Sequence, residues 1–277
     1  MEIGLQLYHG LNVSREAMMT LSRAAEEAGY ASVWVSEHMV LPKDASSRYP
    51  YGEVTLSSSM EWSEAMVALG FLAAATERVR LGTSVVPMWL RHPLVMAKQA
   101  ATVDVLSGGR LELGLGAGWL REEAEALSQA TDHPGARLRE AIGILRRAWS
   151  DEWVEHESRF WSFPPVAVRP YPPQGAELPI WIGGYGPYAL ETITAHAVGS
   201  MLGPFPIEKV MEVRNRLPDG KRIGASIVGL ADTGASRTRA LGLRDAGCDL
   251  IIVMPDHDLD LARRQVDWFA SSVAPEL

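Results

Sequence analysis

Apolar positions recur along this chain with two different periods. Short runs rich in Val, Ile and Leu predict strands near residues 2–7, 31–37, 79–86, 111–116, 179–183, 198–202, 224–230 and 248–254. After each run the apolar residues shift to spacings of three and four. Met18, Leu21, Ala25 and Ala28 form one such stripe; Leu138, Ile142, Leu145 and Trp149 form another; Leu259, Ala262, Val266 and Phe269 a third. Pro93 suits the first turn of a helix and Gly29 the end of one. Strands that alternate with helices pair in parallel through right-handed crossovers, and their unbroken apolar character fits burial on both faces. Eight such units predict an α/β fold, a closed (β/α)8 TIM barrel. An open doubly wound sheet is the alternative.

Two stretches depart from this rhythm. Residues 39–61 form a long loop after the second strand, on the face where barrel enzymes do their chemistry. Residues 151–178 form a small insertion before strand five. There Trp153–His156 and Arg159–Phe163 have the makings of a hairpin, and a Pro-rich run from Pro164 to Pro173 leads back to the barrel. The length, 277 residues, is near the ~250 typical of this fold, so the whole chain, 1–277, reads as one domain.

Composition narrows the partners. A net charge of −8 argues against a general nucleic-acid binder. The single cysteine, Cys248, sits in an apolar run and reads as a buried structural thiol; it excludes a disulfide framework or a cysteine metal cluster. His133, His156 and His196 lack metal-ligand spacing, so no metal site is expected. Neither a signal-peptide pattern nor an apolar run near the ~20 residues of a membrane span is seen, which predicts a cytoplasmic protein with no membrane partner.

Candidate chemistry lies at the carboxyl ends of the strands, which carry the active site in this architecture. Tyr8-His9 ends strand one, Ser36-Glu37-His38 strand two, Asp232-Thr233 strand seven and Pro255-Asp256-His257 strand eight. Glu37 and His38 are the best acid/base candidates, since histidine titrates near neutrality and a nearby carboxylate can orient it. Adjacent strand residues point to opposite faces, so both enter one site only if the strand has already ended. The bland alternative is a salt-bridge pair at a loop start. Strand four ends in Gly114-Leu115-Gly116-Ala117-Gly118-Trp119, and strand five in Gly183-Gly184-Tyr185-Gly186-Pro187. Gly116, Ala117 and Gly118, with Gly183, Gly184, Tyr185 and Gly186, are candidates for backbone contact to a phosphate, the last group just before a helix. Tight turns explain either cluster equally well, and the spacing is not a dinucleotide fingerprint. Trp62, Trp89, Tyr8 and Tyr185 are candidates for an apolar substrate pocket. His92 reads as a helix cap, and Glu122-Glu123-x-Glu125 as a solvated helix face.

Several segments together carry a family resemblance. They are Ser36-Glu37-His38, Arg80 to Pro87, Arg91-His92-Pro93 through Gln99, Asp104 to Leu111 including Ser107-Gly108-Gly109-Arg110, Leu113 to Trp119, and Pro179 to Gly184. The chain resembles the bacterial luciferase-like family of flavin- and deazaflavin-dependent oxidoreductases, and looks most like its F420-dependent branch. The resemblance runs along nearly the whole chain. It implies a barrel that holds a reduced deazaflavin (F420) at the strand ends, with FMN as the alternative cofactor. It also implies a non-prolyl cis peptide behind the ring, matching Ser84 and Val85, and a histidine near the reacting ring, matching His38. F420-dependent hydride transfer with a small organic substrate is the activity implied, and a reduced-FMN monooxygenase is the alternative. Homodimers are common among such proteins. One segment departs from the pattern. Relatives commonly carry Gly-Asp-Gly-Trp or a close variant at strand six, where this chain has Gly199-Ser200-Met201-Leu202-Gly203. That departure motivates a third reading, a non-catalytic cofactor-binding barrel.

Overall fold

The computed structural model describes residues 1–7, 14–50, 55–228, 230 and 233–277. Tyr8, His9 and Asp232 lie outside the described residues. Eight parallel strands close on themselves: β1 (Glu2–Gln6), β2 (Ser32–Val35), β3 (Arg80–Thr83), β5 (Leu111–Gly116), β8 (Ile180–Gly183), β9 (Gly199–Leu202), β10 (Arg222–Ile227) and β11 (Leu250–Val253). The pairing of β1 with β11 and of β3 with β5 leaves no open edge. This is the expected (β/α)8 barrel, and the open-sheet alternative is excluded. β4 (Val86–Pro87) continues β3 past an interruption and pairs with β5.

The helices follow the apolar stripes. α1 (Arg15–Glu27) is capped by Ser14, whose hydroxyl accepts from Ala17 N, and ends before Gly29 at φ +82°, a left-handed turn suited to glycine. α3 (Pro93–Ser107) has Pro93 in its first turn, and His92 Nδ1 accepts from Leu94 N at 3.1 Å, the expected cap. α5 (Pro134–Ala148) and α9 (Leu259–Ser272) bury Leu138, Ile142 and Leu145, and Ala262, Val266 and Phe269. The other long helices are α2 (Ala65–Ala75), α6 (Pro187–His196), α7 (Ile207–Arg216) and α8 (Thr233–Asp245), with the short α4 (Arg121–Ala126) just after β5. The insertion before barrel strand five is the expected hairpin, β6 (Val154–Glu157) against antiparallel β7 (Ser162–Val166). No helix among the described residues is long and apolar enough to cross a membrane.

Two cores result. The larger one fills the space between sheet and helices. A smaller one fills the barrel itself, around Trp34, Trp181, Met201, Leu250 and Ile252. Trp34 and Trp181 meet edge to face at 6.3 Å. The barrel admits them because glycine lies opposite: a Cβ on Gly82 would stand 2.2 Å from the Trp34 ring. Below them, at the amino ends of the strands, Arg80 and Arg222 both pair with Glu2, and Glu112 pairs with Arg80 while accepting from Trp181 Nε1. These pairs fill the barrel interior at the amino ends of its strands.

The specific Asp104–Arg110 block belongs to this scaffold. Buried Asp104 accepts from Leu111 N and from the backbone and side chain of Gln174. Arg110 donates to the carbonyls of Ala73, Thr76, Val79 and Ser107. It thereby satisfies the open carboxyl end of α2. These residues join helix ends to strand starts at the face opposite the site, a stability role in this fold.

Candidate active site

β2 stops at Val35, two residues earlier than the sequence suggested. Glu37 and His38 are therefore loop residues, and the chain turns them in different directions. His38 sits at the barrel mouth with its side chain 12% exposed. Its ring meets Trp62 edge to face at 4.9 Å and Trp119 at 5.9 Å. Tyr49 extends the row by packing on Trp119 at 5.3 Å. Trp62 Nε1 donates to Ser36 Oγ at 3.2 Å, which fixes the far end of the long loop against the end of β2.

The carboxylate beside His38 is not its sequence neighbour. His38 Nδ1 lies 2.7 Å from Glu123 Oε2, on α4. The other oxygen of Glu123 accepts from Met39 N at 2.6 Å and from Val40 N at 3.3 Å. Glu123 is almost wholly buried, which corrects the reading of Glu122–Glu125 as a solvated face. Leu120, Glu123, Ala124 and Leu127 share one helical stripe, and that stripe faces inward. Glu122, the next acid along, reaches the same loop farther on. Its Oε1 accepts from Ser46 N, Ser46 Oγ and Ser47 N. Hydrogen bonds from Ser47 first, then from its own backbone and Ser46, hold its carboxyl down at about 2. Two consecutive acids thus tie residues 38–47 to the end of β5.

Glu37 points the other way. Its side chain is fully buried, paired with the guanidinium of Arg91 and accepting from Ala65 N at 3.0 Å. Burial pushes its carboxyl up, against the opposing pull of Arg91. Arg91 also reaches Glu64, Gln99 and the sulfur of Met39. Glu37 therefore locks the end of β2 to α2 and α3 and makes no hydrogen bond to His38. Proximity in sequence was a poor guide because the loop start separates the two side chains.

The peptide between Ser84 and Val85 is cis, as the resemblance implied. It falls between β3 and β4, at the mouth. Ser84 Oγ donates to Gln6 Oε1 on β1. The Val85 side chain reaches across to the glycines of the neighbouring strands: a Cβ on either Gly116 or Gly183 would lie 2.9 Å from Val85 Cγ2. The need for these two glycines is thus explained by Val85. Gly118, at φ +96°, makes room for Trp89, whose ring would be 2.0 Å from an added Cβ. Trp89 is itself packed with Leu90 and Ala124, so its place is in the core beneath the turn.

The turn after β8 differs. Gly184 adopts φ +108°, donates to Met201 O at 3.2 Å, and its carbonyl accepts from Ser200 Oγ at 2.9 Å. The strand-six segment therefore supports this turn from β9. Gly186 is the N-cap of α6 without a side-chain cap, and a Cβ there would meet nothing within 4 Å. Tyr185 packs edge to face on Phe205 at 5.3 Å, with Lys209 Nζ 4.9 Å from its ring. Ala117 is half-buried between the two flanking glycines.

Sequence reasoning thus placed His38, Ser84, Val85, Gly116–Gly118 and Gly183–Gly186 at one end of the barrel, and the structure places them there. It missed Glu123, Trp119, Tyr49 and Gln6. The stripe through Leu120 and Ala124 was a usable signal for Glu123; Tyr49 lies in irregular loop, where periodicity carries no information.

Comparison with known proteins agrees with this arrangement. Residues 3–237 match the family model described as luciferase-like monooxygenase. An uncharacterized protein of Mycobacterium tuberculosis is 30% identical over 270 residues, covering 91% of this chain and 93% of that one. The F420-dependent glucose-6-phosphate dehydrogenase of Kineococcus radiotolerans is 36% identical over 166 residues, 59% of this chain and 45% of its own. The oxygenase component of the flavin-dependent trigonelline monooxygenase of Acinetobacter baylyi is 29% identical over 205 residues, 71% of this chain and 52% of its own. In fold, the F420-dependent tetrahydromethanopterin reductase of Methanopyrus kandleri superposes with a TM-score of 0.77 over 99% of each chain at 16% identity. With its barrel, its cis Ser84–Val85 peptide and a model match over most of its length, the chain belongs to the luciferase-like monooxygenase family and is an oxidoreductase of that class.

Proposed function

We propose that this protein is an F420-dependent oxidoreductase that transfers a hydride to or from a small organic substrate. The observation that carries the reading is that the cis Ser84–Val85 step, just after β3, and His38, just after β2, stand at the carboxyl ends of two neighbouring barrel strands. The residues present fit a flat, phosphate-bearing ring. Val85 and Ser84 offer a floor, and His38 with Trp62 and Trp119 a side wall. The uncapped amino end of α6, with open space over Gly186, suits a phosphate. When bound, F420 would supply a hydride donor or acceptor carbon. His38 would hold or move the proton that accompanies the hydride, and the half-buried rings of Trp62 and Trp119 beside it would help keep water from the reacting face.

The alternative is a reduced-FMN monooxygenase, favoured by the likeness to the trigonelline oxygenase; the likeness to the glucose-6-phosphate dehydrogenase favours F420. The strand-six departure carries no case for a non-catalytic barrel, because Ser200 supports the Gly184 turn and Met201 fills the barrel core. Fluorescence titration with F420 and with FMN tests the cofactor, and oxygen uptake tests the alternative. Tight FMN binding with oxygen consumption and no F420 binding would refute the F420 reading. His38→Ala should lower turnover by ~10²–10⁴ with a smaller loss of cofactor affinity; unchanged turnover would remove His38 from the chemistry.

The same reading places the enzyme in the cytoplasm as a single-domain homodimer. α2 is apolar on every face, yet Val67 on it and Leu106 on neighbouring α3 stand 72% and 62% exposed. An all-apolar helix at a surface calls for a cover. Sedimentation of a monomer at micromolar concentration would reject the dimer.

A further inference from the structure

His38 and Glu123 are 85 residues apart in sequence and in direct contact in the fold. The Glu123 carboxylate is 1% exposed and is faced by three nitrogen atoms. Met39 N and Val40 N lie against Oε1, and His38 Nδ1 lies 2.7 Å from Oε2. The two backbone groups can only donate. A desolvated carboxylate that already accepts from both is best satisfied when the third nitrogen donates as well. The ring also packs edge to face against both Trp62 and Trp119, contacts that restrain its rotation. Its remaining nitrogen, Nε2, has no hydrogen-bond partner among the described residues.

We propose that Glu123 is a positioning residue that fixes neutral His38 as the Nδ1–H tautomer and leaves the Nε2 lone pair available at the barrel mouth. This is the reverse of the Nε2–H form that a free imidazole favours in water, and the partner of one ring nitrogen decides the state of the other. His38 then presents an acceptor when neutral and a donor only after taking up a proton at Nε2. Glu123 sets the ring's direction as well, because the same carboxylate anchors the next two backbone amides. The proposal rests on the reading of His38 as the proton-handling group, but the two can fail separately.

The test is the tautomer itself. Long-range proton–nitrogen correlation spectra of the 15N-labelled full chain, in alkaline buffer that neutralises imidazoles, distinguish the two forms. The chain has seven histidines, and loss of one signal set in His38→Asn assigns the ring. The wild type is expected to show Nδ1–H. In Glu123→Gln the side-chain oxygen should stay with the two backbone donors and turn its NH₂ toward Nδ1. That nitrogen must then accept, and the tautomer should switch to Nε2–H. Glu123→Ala should drift to the same form for want of any partner. An Nε2–H tautomer in the wild type overturns the proposal, and so does an unchanged tautomer in a folded Glu123→Gln. If both variants fail to fold, the wild-type spectrum still decides. Unchanged turnover in His38→Ala, beside an Nδ1–H wild type that switches in Glu123→Gln, would reject the catalytic reading of His38 and leave this assignment standing.

Discussion

The buried pair behind the site makes a quantitative prediction. Replacing Arg91 with Met keeps much of the side-chain volume but removes the cation facing Glu37. Glu37 is then left, with its side chain wholly buried, holding one donor, Ala65 N. Stranding a buried charge in this way costs about 3–5 kcal/mol. The carboxyl can escape by taking a proton, and that escape sets its own limit. Holding a carboxyl of ordinary value 4.5 protonated at about pH 7.5 costs about 1.4 kcal/mol per unit, or roughly 4 kcal/mol. At about pH 5 the same step costs under about 1 kcal/mol. The sign follows from linkage. In the wild type burial raises the folded value of Glu37 against the pull of Arg91; without Arg91 it rises further, so above 4.5 the folded variant binds more protons than its unfolded chain and loses stability relative to wild type as pH rises toward that higher value. Urea unfolding of Arg91→Met should therefore show a loss near 4 kcal/mol relative to wild type at about pH 7.5, and about 1 kcal/mol at about pH 5. Glu37→Gln combined with Arg91→Met should remove most of the pH dependence and recover part of the loss. An equal loss at both pH values, or a double variant no better than the single, would refute the assignment of this pair as the lock on β2.

Three further perturbations separate packing from binding. Gly118→Ala should cost about 2–4 kcal/mol in urea unfolding, because the new methyl meets Trp89 at a positive φ; near-wild-type stability would mean that Trp89 can move. Gly186→Val, at φ −64° with open space around it, should change stability by less than about 0.5 kcal/mol and weaken F420 or FMN binding about tenfold if the α6 terminus takes the phosphate. Unchanged affinity would return Gly186 to the ordinary turn residues. Glu122→Ala should speed proteolytic cleavage within 41–50 several-fold; in the wild type this tether should be fully present above 4.5 and be lost only as the pH falls through about 2.

The repeating parts of this protein are legible along the chain. Strand and helix periods, Pro93, Gly29 and the His92 cap are local choices, and a chain whose local choices agree specifies its barrel without reference to distant contacts. The sequence also pointed to the end that carries the candidate site, since the carboxyl ends of parallel strands converge there whatever the side chains are. What each candidate side chain meets depends on contacts made only in the closed barrel. Gly116 and Gly183 answer to Val85, and Gly118 to Trp89, because backbones that approach closely leave no space for a Cβ. Glu37 turned to Arg91 and Glu123 to His38 because a buried carboxylate goes where donors are, and those donors come from elements dozens of residues away. The stripe through Leu120, Ala124 and Leu127 runs against the reading of Glu123 as part of a solvated face; only the closing of the barrel, which sets α4 beside the end of β2, showed what Glu123 meets.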